Sequence, residues 1–169
     1  MFPVLSQVAV IVGLALLLGA ALHDLAVRTV PNCVPVALVL LGLAARLMDG
    51  GLWVGLAVAG AVFAGVVLLW LRGLMGGGDA KLLGAVALLA PPSAIPGLLL
   101  MIALCGGALA LFYLAMSYLI ARPPSGPRQT LMARIAKAER WRLSRRGPLP
   151  YAMAIAGGSL ISLSPLVAG

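Results

Sequence analysis

Apolar residues in this chain come in long unbroken runs, not in the one-sided stripes of helices that pack on a soluble core. Read against their breaks, the runs predict six helices, at about 3–25, 33–48, 52–71, 79–91, 95–120 and 149–167. Asp49-Gly50-Gly51 is the expected turn after the second, and Pro91-Pro92 ends the fourth. The first, third, fifth and sixth reach the roughly 20 residues that cross a bilayer. The second and fourth are shorter. The expected fold class is all-α, a polytopic membrane protein with six transmembrane helices. Residues 1–169 would form one membrane-embedded domain, with a basic loop at 121–148.

Composition agrees with that pattern. Of the 169 residues, 63% are hydrophobic and 9% charged, whereas the surface of a soluble domain takes about a quarter of charged residues. A cleaved secretory signal would open on a positive segment, but no Lys or Arg precedes Arg28. The first run is therefore expected to be retained as a helix. Cys33 and Cys105 stand far apart and outside any CxxC or Cys/His grouping, so neither a zinc site nor a disulfide framework is expected. No phosphate loop, dinucleotide fingerprint or haem attachment sequence is present. The expected cofactor is none.

Charge orients the six spans. Alternating sides puts eleven of the 12 basic residues on one face, eight of them in 121–148, and leaves Arg46 on the other. The positive-inside rule then makes the basic face cytoplasmic and puts both termini outside. Within the loop, Leu131, Ile135 and Ala138 recur at helical spacing among Arg134, Lys137 and Arg140. That is the pattern of an amphipathic helix on the anionic inner leaflet, so lipid is an expected partner. Aromatic residues do not interleave with these cations, and no nucleic acid is expected.

Four acidic residues carry what chemistry there is: Asp24, Asp49, Asp79 and Glu139. Asp49 sits in an Asp-Gly-Gly turn, where such a side chain commonly bonds its own backbone. Glu139 lies among the loop cations. Asp24 ends a helix running inward and Asp79 opens one running outward, so the two share a depth at the basic face. A carboxylate at the hydrocarbon border is costly and usually functional. Two held close share one proton, so that one acts as base on a water while the other polarises a carbonyl. Alternatively, Asp24 pairs with Arg28 four residues on, and Asp79 with Lys81. From residue types alone the two readings stand level. Gly76-Gly77-Gly78 before Asp79 is expected to be free to take positive φ and admit an extended substrate strand.

Gly76-Gly77-Gly78-Asp79-Ala80-Lys81-Leu82-Leu83 resembles the GxGD-x-K-L-L motif of the type IV prepilin peptidases. Asp24, Arg28 and Val30-Pro31-Asn32 resemble that family's first aspartate motif, and Pro150-Tyr151 is similar to the opening of its last span. The resemblance covers nearly the whole chain. It implies a membrane aspartic endopeptidase with Asp24 and Asp79 as the catalytic pair. Gly76, Gly77, Gly78, Lys81, Arg28, Pro31 and Asn32 would shape the site or bind substrate, Pro31 and Asn32 by forming the turn into the second helix. Larger members add a zinc-binding cytoplasmic domain and N-methylation. This chain resembles the short, peptidase-only branch associated with tight-adherence (Flp-type) pili. The implied substrate is a prepilin or pilin-like protein, cut after a short basic leader on the cytoplasmic side of a bacterial inner membrane. The rival readings are a GxGD protease that cuts within the bilayer and a non-enzymatic proton-coupled transporter.

Overall fold

The computed structural model describes residues 4–27, 29–119 and 151–168. It contains six α-helices and one 3₁₀ turn among them, and no strand. The helices are α1 (Val4–Val27), α2 (Cys33–Met48), α3 (Leu52–Leu71), α4 (Gly77–Leu89), α5 (Ile95–Leu119) and α6 (Tyr151–Ala168), with the 3₁₀ turn at Pro92–Ala94. This is the all-α membrane architecture expected. Three stretches, Ser6–Val27, Leu52–Leu71 and Pro92–Met116, are long and apolar enough to cross a membrane, and Cys33–Met48 and Tyr151–Val167 are shorter apolar helices. Arg28, Pro150 and the basic loop with its amphipathic pattern lie outside the described residues.

The breaks have local causes. α3 ends in a Schellman motif: the Leu74 amide donates to the Leu69 carbonyl at 3.0 Å and the Gly73 amide to that of Trp70 at 2.9 Å. That geometry needs a left-handed residue, and Gly73 supplies it with φ 72°. Gly50, with φ 68°, does the same after α2. The glycines before Asp79 do not. Gly76 is extended at φ −69°, while Gly77 and Gly78 already belong to α4. The predicted start at Asp79 thus moves back by two residues, and the expected positive-φ glycine run is corrected to a helical first turn. Two helical glycines in a row are tolerated because neighbours pack where their side chains would be.

α4 is the axis of the fold. It packs against α2 and α3, and also touches α6 and α1, while α5 lies outside on α6. Every residue from 82 to 90 is buried, which explains why the helix is apolar on all sides. Its 13 residues rise about 20 Å, less than the roughly 30 Å of a hydrocarbon core. A helix that short survives there because protein encloses it.

Close approach depends on absent side chains, as in membrane helix pairs generally. A Cβ on Gly42 would meet the α4 backbone at Leu88 C and Leu89 N, both 2.8 Å away. One on Gly158 would strike Ile102 Cα and N of α5 at 2.5 Å.

At the α1 start and α2 end, a polar cluster closes the bundle. Arg46, only 3% exposed, pairs with Asp49 at 3.3 Å and donates through the same Nη2 to the Leu89 carbonyl at the α4 C-terminus, 3.4 Å away. The Ser6 hydroxyl donates to the other Asp49 oxygen at 3.1 Å. The turn-type role expected of the Asp49 side chain is therefore replaced by an ion pair that joins α1, α2 and α4. The spacing Arg46-x-x-Asp49 carried that signal.

Candidate functional site

The opposite end of α4 gathers the residues singled out by sequence. Asp79 is the third residue of α4, one helical turn beyond the N-cap Gly76. Its carboxylate folds back over Gly76, so that a Cβ there would lie 3.0 Å from Oδ2. Asp24 stands in the last turn of α1, and both aspartates are half-buried. Asp24 is near enough to bear electrostatically on the Asp79 carboxyl. The two residues, 55 positions apart, come to one end of the bundle because α1 ends where α4 begins.

The three glycines are spaces, each covered from a different side. The Asp79 carboxylate covers Gly76. The Trp70 indole Nε1 is 3.2 Å from where a Gly77 Cβ would sit, and Val30 Cβ 3.6 Å from that of Gly78. The absent side chains at Gly77 and Gly78 thus let Trp70 and the 29–32 connection close on the start of α4, next to Asp79.

That connection is held by two further bonds. His23 Nδ1 lies 2.7 Å from the Thr29 carbonyl, a bond that requires the hydrogen on Nδ1. Lys81 Nζ donates to Asn32 Oδ1 at 3.2 Å. Asn32 is the N-cap of α2, yet its side chain makes no capping bond. Pro31 accepts from the Val34 amide at 3.1 Å, opening the helix by a turn. The expected turn-forming role of the triplet is shared: Pro31 turns the chain, and the Asn32 side chain ties it to α4. The alternative pairing of Lys81 with Asp79 gives way to this bond, since the Lys81 ammonium faces Asn32. Sequence reasoning left out both Trp70 and His23. A Trp at the end of a span next to a glycine run was the available signal for the first.

Alongside the site runs an apolar groove of about 500 Å³ between α2 and α3, floored by α4, with Asn32 and Lys81 at the aspartate end. Among the described residues no three of His, Cys, Asp or Glu come together as metal ligands would. The chemistry at hand is that of two carboxyls at one end of the bundle, with Lys81, two residues along α4 from Asp79, in the lining of the groove.

No curated protein and no solved structure matches the chain. A family model does, over residues 11–111, a stretch that holds both aspartates, the glycine run and helices α2, α3 and α4. The arrangement at this end of the bundle thus sits inside the matched region, and the chain belongs to the type IV leader peptidase family.

Proposed function

We propose that this peptidase is of the aspartic type, with Asp24 and Asp79 sharing one proton across the catalytic water. The ionised carboxylate takes a proton from the water as its oxygen attacks the scissile carbonyl carbon. The protonated partner gives its proton to the carbonyl oxygen, and a tetrahedral diol forms. Collapse of the diol breaks the C–N bond: the first aspartate returns its proton to the departing amine, and the second takes a proton from a diol hydroxyl, which becomes part of the new C-terminal carboxyl. Each carboxyl thereby ends in the protonation state in which it began, ready for the next turn. What supports this reading above all is that Asp24, in the last turn of α1, bears electrostatically on Asp79 in the first turn of α4, although the two are far apart in the chain.

The substrate class follows from the resemblance. It is a prepilin or pilin-like protein whose short basic leader, ending in Gly, is cut at the cytoplasmic face just before the apolar segment. The density of cations in 121–148 supports that orientation. The two cysteines, far apart and outside any CxxC pairing, support the short branch, acting on Flp-type pilins without N-methylation. The test is cleavage of a co-expressed Flp-type pilin precursor by the wild type, Asp24→Ala and Asp79→Ala. The wild type shortens the precursor and both variants leave it intact. Normal cutting by either variant refutes the dyad.

A further inference from the structure

α1 and α4 carry the two aspartates, yet they touch each other little. α1 packs chiefly on α2 and α6, and α4 on α2 and α3. The neighbour on which both pack closely is α2, so the lead-in to α2 connects their ends. That lead-in, residues 29–32, is fastened on both sides. On the α4 side, Val30 Cβ lies 3.6 Å from where a Gly78 Cβ would sit, and Asn32 Oδ1 accepts from Lys81 Nζ at 3.2 Å. On the α1 side the fastening is His23, whose Nδ1 lies 2.7 Å from the Thr29 carbonyl oxygen. His23 immediately precedes Asp24, but neighbouring side chains on a helix point about 100° apart. The imidazole is thereby aimed at the chain beyond α1.

The end of α1 needs such a fastening. The last four carbonyls of a helix have no partner within it, and the dipole there opposes a negative charge such as that of Asp24. No basic residue stands in the last turn of α1 to offset this. We propose that His23 is a positioning residue of the peptidase: its Nδ1–H bond to Thr29 clips the end of α1 to the 29–32 lead-in and so sets where Asp24 stands relative to Asp79. The proposal rests on the aspartic-peptidase reading above and adds what fixes the spacing of the pair. From His23 the contacts run to Thr29, then from Val30 to Gly78 and from Asn32 to Lys81. Gly78 and Lys81 flank Asp79 in sequence. With the clip open, the last turn of α1 frays and Asp24 drifts, while Asp79 stays with the enclosed α4. A protonated imidazole still donates from Nδ1, so the clip itself holds across the pH range of the assay.

Leucine and asparagine branch alike at Cγ, and only asparagine offers a donor near the position of Nδ1. The full chain is reconstituted in liposomes with a Flp-type pilin precursor. His23→Leu loses the clip, and displacement of Asp24 on the ångström scale lowers kcat about tenfold to a hundredfold with KM retained. His23→Ala, a good helix former that adds no bulk, repeats that loss and carries the test should His23→Leu not fold. His23→Asn restores most of kcat. The pH profile of kcat/KM reports the spacing itself. Two carboxyls farther apart interact less, so the limbs of the bell draw together in His23→Leu and part again in His23→Asn. A change caused by losing the imidazole's own titration would appear alike in both. Wild-type kcat in His23→Ala, a loss that His23→Asn does not restore, or a limb shift common to His23→Leu and His23→Asn overturns the positioning role and leaves the peptidase reading standing. A wild-type chain that cuts no pilin precursor removes both.

Discussion

Replacing Asp49 with asparagine keeps the shape of the α2 C-terminus and removes the charge that Arg46 faces. The guanidinium then remains 3% exposed, with the Leu89 carbonyl still accepting from it but no anion opposite. Leaving one member of a buried pair uncompensated costs about 3–5 kcal/mol. Asp49 is itself 16% exposed, so water softens the loss and the lower end of that range is expected. Arg46→Met removes the cation instead. Its apolar chain follows the same path over Gly55, where a Cβ would meet Arg46 Cδ at 2.8 Å, and Asp49 keeps the Ser6 hydroxyl. The double variant Arg46→Met/Asp49→Asn buries no charge and is expected to be more stable than Asp49→Asn alone. Reversible unfolding of the full chain in mixed micelles, followed by far-UV circular dichroism, measures all three. Additive losses in the double variant, or an Asp49→Asn loss below about 0.5 kcal/mol, would show that the cluster is surface decoration and not a clamp across α1, α2 and α4.

Further outcomes follow from the same geometry. Gly42→Ala pushes a methyl against the α4 backbone at 2.8 Å and is expected to cost about 1–3 kcal/mol in the same unfolding assay, whereas Gly19→Ala, with open space around it, is neutral or stabilising by up to about 1 kcal/mol. Equal behaviour of the two would refute the close α2–α4 contact. Gly76→Ala crowds Asp79 Oδ2 at 3.0 Å and turns the carboxylate away. Misplacement on the scale of an ångström costs about a hundredfold, so kcat for precursor cleavage falls by between tenfold and a hundredfold with KM retained; an unchanged kcat counts against Asp79. A shared proton makes the pH dependence of kcat/KM bell-shaped. Activity falls at low pH as both carboxyls become protonated and at high pH as both ionise, and a profile with a single limb would exclude a dyad that needs one proton.

What could be read from the sequence was whatever depends on short stretches of chain. Runs of apolar residues and the Pro and Gly between them set six helices within a few residues of their bounds, because the hydropathy of a span and the left-handed φ of a Gly act locally. That Asp24 and Asp79 fall at one end of the bundle was legible for a related reason: one lies at the end of the first helix and the other at the start of the fourth. The glycine run misled, because three glycines before an Asp look like a loop until Trp70, Val30 and the Asp79 carboxylate are seen to occupy the space beside them. That is packing from other parts of the chain, and periodicity does not report it.

The tertiary structure decided three things that no local pattern contains. It made the short α4, apolar on all sides after Lys81, the enclosed axis, and so placed Asp79 beside the end of α1. It turned Arg46, an isolated cation on the expected outer face, into a clamp on the far end of that axis. It also held α2 and α3 apart on α4, opening a groove between them. Each depends on which helices become neighbours, and in a membrane that choice falls to small residues such as Gly42 and Gly158 that let particular backbones touch. Hydrophobicity puts a helix in the bilayer; close packing and a few polar contacts select its partners there.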